Sequence, residues 1–349
     1  MTSTLKVVNP GVYTTVQDLG RRGFQDVGVP VSGPLDRIGL QLANALVGNA
    51  AATPALEMLL QGPAFEVMAD SVRIALAGCN GAINAGGDNA RSIPAGTSVR
   101  LIRGDAFRIA QLGDSACAYL AIEGGIELTQ CLGSASTYVR GRMGGIHGMA
   151  LKRGDSVPLE RASVAQRPEK TLAQAFDLGL DQPLRVVLGP QADFFTKEAI
   201  ATFLSAEYVV SAQSDRMGFR LEGAPLVHAK GYDIVSDGIV TGSIQVPGSG
   251  LPIVLMVDAQ TTGGYPKIAT VISADIPVLG RRMPGRTARF TAVSVDQAVA
   301  LRREQEAYLR RCIGSLRAAD TVVSIDMTAL YTENLISGVV AMGSSNPVV

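Results

Sequence analysis

The chain has no tryptophan, two histidines, four cysteines and only six lysines among its 31 basic residues. Each shortage excludes something. The 31 basic residues are matched by 31 acidic ones, so the charge footprint of a nucleic-acid or anionic-membrane binder is missing. Cys79, Cys117, Cys131 and Cys312 show no CxxC spacing and are expected as reduced, buried thiols, not as a disulfide framework. His147 and His228 form no HxxxH or HExxH pattern, which argues against zinc. No apolar run approaches the roughly 18 residues of a membrane span. Residues 1–8 hold one lysine and lead straight into a strand pattern, so a cytoplasmic protein without a leader is expected. A GxSxG elbow, a Walker A loop and a GxGxxG after a strand are all missing.

What is present is small, apolar and heavily punctuated. Apolar residues make up 47% of the chain, with 39 glycines and 17 prolines. Short β-branched runs between Gly/Pro turns predict a mainly β protein of barrel or sandwich type, not a Rossmann sheet. At 349 residues the chain exceeds the usual limit of one core, so two domains are expected. Strands are predicted at Val12–Val16, Phe65–Met68, Val72–Leu76, Ser98–Ile102, Ala106–Gln111 and Cys117–Ile122. A helix is predicted from Pro34, in its first turn, to Gly48 at its C-terminal cap. The polar stretch 162–182 reads as a connection. Beyond it come a strand at Leu184–Leu188, a helix at Asp193–Leu204 with Phe194 and Phe203 inward, and further strands through Ala288–Val293. Residues 295–319 read as an amphipathic helix with Leu301, Tyr308, Cys312 and Leu316 on its apolar face. Domain boundaries are expected at 1–165, 180–295 and 296–349, the last being the helix and a loosely held tail.

The chemistry concentrates after one strand. The run Ile253–Val257 ends in Asp258, Gln260, Thr261, Thr262, Gly263, Gly264, Tyr265 and Lys267. Such a set serves equally as a self-satisfied polar turn or as a site presented at a strand end. A second cluster, Ser214–Arg220, offers two arginines beside an aspartate: either a structural ion pair or a fork for a carboxylate. Gln245 interrupts an apolar run and needs partners if it points inward. Thr15–Arg21 has the same polar strand-end character, and the lone His228 reads as structural.

Taken in order, several motifs resemble one family. They are Gly11-x-x-Thr14-x-x-Gln17-Asp18-Leu19-Gly20-Arg21, Gly28-Val29-Pro30-x-Ser32-Gly33, Ala43-Asn44-x-Leu46-Val47-Gly48-Asn49, Tyr119-Leu120-Ala121-Ile122-x-Gly124-Gly125, Asp215-Arg216-Met217-Gly218 and Ile244-Gln245-Val246-Pro247. The family is the biotin-dependent carboxyltransferase family, also called allophanate hydrolase subunit 2. It includes the C subunit of ATP-dependent 5-oxoprolinase, the first half of the urea carboxylase carboxyltransferase domain, and a Bacillus antagonist of a sporulation-kinase inhibitor. Where the family commonly has Gly-Gln-Pro-Ile, Gly250-Leu251-Pro252-Ile253 stands here, which removes one polar side chain.

The resemblance implies two cyclophilin-like β-barrel subdomains with a few inserted helices and a C-terminal helix. It implies partial possession of a site shared with a subunit 1-like partner (the 5-oxoprolinase B subunit), and a 5-oxoprolinase A subunit as a further partner. The expected activity is ATP-dependent opening of the pyroglutamate lactam. The alternatives are CO2 transfer from carboxybiotin on another protein to urea or a related amide, and regulation by binding the partner alone. No cofactor is expected covalently on this chain, since neither Lys152 nor Lys267 lies between methionines; ATP would be used by the complex. For the site, Asp258 and Lys267 are expected as catalytic groups, with Lys267 tuned by burial beside an arginine. Arg216 is expected to take the substrate carboxylate, and Gln245, Gln260, Thr262 and Tyr265 the amide.

Overall fold

In a computed structural model of the chain, residues 3–86 and 91–319 are described; the expected loose tail beyond them lies outside the described residues. Strands dominate, and they follow the short apolar runs. Thr4–Asn9 and Tyr13–Gln17 are divided at Pro10-Gly11 as the turn residues require. Five strands, in the order Tyr13–Gln17, Ala55–Leu59, Cys117–Ile122, Ser71–Ala77 and Ser98–Ile102, form one antiparallel sheet. Six more, with Thr4–Asn9 paired to both Ala64–Val67 and Ser156–Pro158, form a second. Val7, Met58, Phe65, Ile74 and Leu120 share the apolar core of this half.

The five-stranded sheet is buried on both faces, which is why Cys117–Ile122 shows no polar alternation. Ala118, Leu120 and Ile122 belong to that first core; Cys117, Tyr119 and Ala121 belong to another, together with the helix Arg37–Val47. Asp36 caps the helix by accepting from the Ile38 amide, and Gly48 ends it at φ 85°. Pro34 therefore stands before the cap and not in the first turn as expected. Gly39 allows the close approach to the sheet, because a Cβ there would lie 2.9 Å from both Gly78 Cα and the Tyr119 ring.

From Leu184 onward an eight-stranded sheet forms. Its edge strands are Thr287–Ala288 and Phe290–Ala292. These two are neighbours in sequence yet stand at opposite edges, so the sheet curls round until it nearly closes. The chain is thus mainly β and barrel-like, with few helices. Beside the core inside the first half, a second apolar cluster spans both halves, running from Leu42 and Leu46 of the first to Phe203, Tyr208 and Phe290 of the second.

Some details differ from expectation. The helix at 193–204 is split into a short turn at Ala192–Phe194 and a helix at Lys197–Ser205 capped by Thr196, and Phe195 instead of Phe194 enters the core. In the helix Val295–Gly314, Leu309 is buried and Tyr308 is exposed. The strands at Ala82–Gly86 and Gly218–Glu222 carry too much Gly and charge to be read as strands. All four cysteines are free; Cys79 and Cys117 are buried, while Cys131 and Cys312 are half-buried.

Candidate functional site

The polar stretch after Ile253–Leu255 does not converge on one point. Its first member turns into the protein. The backbone pairing continues past the strand, with the Asp258 amide donating to the Arg216 carbonyl at 2.9 Å. That pairing sets the two side chains together. Arg216 Nε and Nη2 donate to the two Asp258 carboxylate oxygens at 2.8 and 3.2 Å. Its Nη1 donates to Glu57, and Nη2 also reaches the Gly33 carbonyl at 2.8 Å. Burial alone works against the Arg216 charge, but Asp258 and Glu57 more than offset it and raise its pKa.

The network extends further. Glu57 Oε2 accepts from the Leu35 amide at 2.9 Å and from the Tyr119 hydroxyl at 2.5 Å. That hydroxyl in turn accepts from the Asp36 amide at 2.8 Å, and Asp36 Oδ2 accepts from Arg281 Nε at 2.7 Å. Asp36, Glu57 and Tyr119 come from the first half; Arg216, Asp258 and Arg281 come from the second. The guanidinium expected to receive a substrate carboxylate is therefore already bound to two carboxylates of its own chain. Asp215, its sequence neighbour, instead caps its own turn through the Met217 and Gly218 amides.

Above this network lies a cavity of about 360 Å³, walled by Leu35, Leu59, Tyr138 and Phe219 and touched by Tyr13, Arg216 and Asp258. Burial raises the Tyr13 phenol pKa; Arg216 opposes this, while Asp258 and Glu57 add to it. The phenol is thus held as a neutral donor.

Lys267 forms a second centre. It pairs in register with Gln245 on Ser243–Gln245, and its side chain is 2% exposed. Nζ donates to Asp237 Oδ2 at 2.7 Å and to the Gly238 carbonyl at 3.3 Å. Gln191 bridges the pair, donating to Asp237 Oδ2 at 3.0 Å and accepting from the Lys267 amide at 3.2 Å. The expected neighbour was an arginine; the structure places the Asp237 carboxylate there. Hydrogen bonds from Lys267, Gln191 and the Gly238 amide hold the Asp237 carboxyl down to a pKa of about 2, although its side chain is 50% exposed.

Gly263 explains part of the double glycine. The short strands Asp237–Gly238 and Thr262–Gly263 pair over Gln245, and a Cβ on Gly263 would lie 2.5 Å from the Gln245 amide nitrogen. Gln245 Nε2 reaches the Tyr265 carbonyl at 3.4 Å. The Tyr265 and Thr262 side chains are exposed, in a region that also exposes Tyr232, Val235 and Val240.

Gln260 faces a third place, a cavity of about 500 Å³ lined from both halves by residues including Arg22, Ser32, Arg37 and Thr261. Of the seven expected residues, Arg216 and Asp258 meet in one spot and Gln245 and Lys267 in another. Gln260, Thr262 and Tyr265 join neither through their side chains. Glu57, Tyr119, Asp36, Arg281, Gln191 and Asp237 were missed. Glu57 carried a signal, as a carboxylate inside the apolar run Ala55–Leu59.

Two other features singled out in the sequence, Asp18 and His228, make structural contacts. Asp18 accepts from the Ser134 and Ser136 hydroxyls at 2.6 Å each and from the Ala135 amide at 2.6 Å, fastening the glycine-rich loop to the first sheet. His228 Nε2 lies 3.0 Å from the Val246 carbonyl, with its ring 5.0 Å from that of Phe195.

Known proteins share this fold and sequence. Residues 27–292 match the family described as carboxyltransferase domain, subdomain A and B. The 5-oxoprolinase C subunit of Escherichia coli is 35% identical over 308 residues, covering 88% of this chain and 97% of that protein. The urea amidolyase of Saccharomyces cerevisiae is 32% identical over 343 residues, covering 92% of this chain but only 18% of the amidolyase. The crystal structure of the Kluyveromyces lactis urea carboxylase superimposes with a TM-score of 0.80 at 30% identity, over 91% of this chain and 30% of that one.

Proposed function

Because the chain belongs to the carboxyltransferase-domain family, subdomain A and B, we propose that it is the C-type subunit of an ATP-dependent 5-oxoprolinase complex. In this reading it contributes part of a shared site that opens the pyroglutamate lactam to glutamate. The relative named as the 5-oxoprolinase C subunit is matched over 97% of its length, which supports a component of that size and kind. The observation that carries the reading is the Lys267 centre: a buried ammonium reaching a half-exposed carboxylate, beside exposed apolar side chains. A polar centre rimmed by uncovered apolar surface fits a half-site that a partner protein closes.

A lactam is a poor electrophile, because its nitrogen lone pair is delocalised into the carbonyl. ATP, handled by another component of the complex, would activate it. In this chain Lys267 would donate to the oxygen that gains negative charge, and the Gln245 amide would hold the substrate amide. Asp237 and Gln191 orient the ammonium. Asp258, with both oxygens taken by Arg216, is a positioning residue in this scheme and not a proton carrier.

The likeness to urea carboxylase favours a second reading. There the same half-site would move CO2 from carboxybiotin, carried on another protein, to urea. Reconstitution with B-type and A-type subunits tests both, with glutamate formation from pyroglutamate and carboxylation of urea as separate assays. Lys267→Met is expected to lower kcat for pyroglutamate by about 10²-fold, the usual cost of losing one charge-stabilising donor. Wild-type turnover in that variant would remove Lys267 from the site. Tight partner binding with no turnover in either assay would replace both readings with a regulator that only binds its partner.

A further inference from the structure

The cavity of about 500 Å³ beside the paired strands Asp237–Gly238 and Thr262–Gly263, whose lining includes Thr261 and Ile239 but not Lys267, carries features that lactam opening at Lys267 does not use. Its volume falls in the range of small-molecule sites, about 300–1,000 Å³. Ser32 on its wall is 2% exposed, and its hydroxyl has no hydrogen-bond partner. The same residue is held at φ 54°, where a non-glycine residue is strained. Its amide is fixed to the Val257 carbonyl at 2.9 Å, and the carbonyl of the next residue, Gly33, is taken by Arg216. A serine here is unfavourable twice over, through its backbone and through its orphan hydroxyl, where glycine would be neither.

The charge around this cavity is one-sided. Arg22 and Arg37 both line it. Arg37 shares a single carboxylate, Glu306, with Arg302, while Arg22 has no carboxylate partner among the described residues. Burial lowers the Arg302 pKa, and repulsion from Arg37 and Arg22 adds to this against the pull of Glu306. Gln260 and Thr261 add polar groups to the lining.

We propose that this cavity binds a small carboxylate that also carries an amide or hydroxyl, the carboxylate lying on Arg22 and Arg37 and the polar head on the Ser32 hydroxyl and the Gln260 amide. Guanidinium groups match a carboxylate in charge and donor geometry. A buried hydroxyl without a partner gains most from a ligand that supplies one. The site goes beyond the Lys267 centre and does not depend on it.

The test is calorimetric titration of the full-length chain alone with L-pyroglutamate, propionate and inorganic phosphate. Pyroglutamate is expected to saturate and to bind more tightly than propionate, which lacks the polar head, and than phosphate. Arg22→Ala and Arg37→Ala should each weaken it about tenfold, the effect of one charged hydrogen bond. Ser32→Gly should weaken it several-fold while the melting temperature holds or rises, a combination that a purely structural serine would not give. Absence of saturable binding at millimolar pyroglutamate would overturn the proposal. So would phosphate binding as tightly as pyroglutamate with Ser32→Gly inert. Pyroglutamate binding that survives both arginine changes but is lost in Lys267→Met would place the ligand at the Lys267 centre; this proposal would then fall while the functional reading stood.

Discussion

Replacing Arg216 with methionine tests the buried network directly. The change leaves the Glu57 and Asp258 side chains, 1% and 8% exposed, without the cation that compensates them. Removing one partner of a buried ion pair costs about 3–5 kcal/mol, because the surviving charge is desolvated and unpaired. The Gly33 carbonyl also loses the donor it has at 2.8 Å, which adds about 1 kcal/mol. A loss of about 4–6 kcal/mol is therefore expected, a large share of the roughly 5–15 kcal/mol by which domains are stable. The assay is the urea denaturation midpoint at unchanged slope. A companion variant, Arg216→Met with Glu57→Gln and Asp258→Asn, keeps the shapes and removes the charges; it should regain more than half of the loss. A single-variant cost below about 1 kcal/mol, the size of a surface ion pair, would refute the reasoning. So would a triple variant no more stable than the single one.

Two further outcomes are expected. The Tyr208 hydroxyl is buried without a partner, and burial pushes its pKa up to about 12. Its ring packs against Phe203 and Phe290, so Tyr208→Phe should keep that packing and raise stability by about 1 kcal/mol in the same denaturation assay; a loss would reveal a partner for the hydroxyl. Asp237 has a folded pKa of about 2 against an ordinary 3.8. A depressed carboxyl pKa adds stability that is fully present above the unfolded value and is lost as pH falls through the folded one. The stability difference between wild type and Asp237→Asn should therefore be constant above about pH 4 and shrink toward pH 2, and a difference that grows on acidification would contradict the pairing with Lys267.

How much was legible depended on the distance over which the cause acts. The cap at Gly48, the turn after Asn9 and the strand Ser98–Ile102 follow from a few adjacent residues, and they stand where the turn chemistry put them. Strand Cys117–Ile122 was legible as apolar, but its burial on both faces was not, because that depends on a helix packed from elsewhere. Phe194 and Phe195 were confused for a related reason: a broken helix changes which side chain points inward, and the break at Thr196 is local only once the cap forms.

The candidate site shows the same division more sharply. That Asp258, Gln260 and Lys267 crowd one strand end is a property of the sequence, as are the balanced charge, the turn-rich β character and the motif order that identifies the family. Which of them meet is not. Arg216 lies 42 positions from Asp258 and 159 from Glu57, and Arg281 lies 245 from Asp36. The chain turns at Val257–Asp258 and bends again at Gly264–Tyr265, so residues close in sequence were sent to a buried ion network, a short pair of strands and a separate cavity. Propensity and turn chemistry act over a few residues and can be read from them. Charge compensation in a desolvated interior acts between whichever groups the fold brings together, and only the tertiary structure decides that.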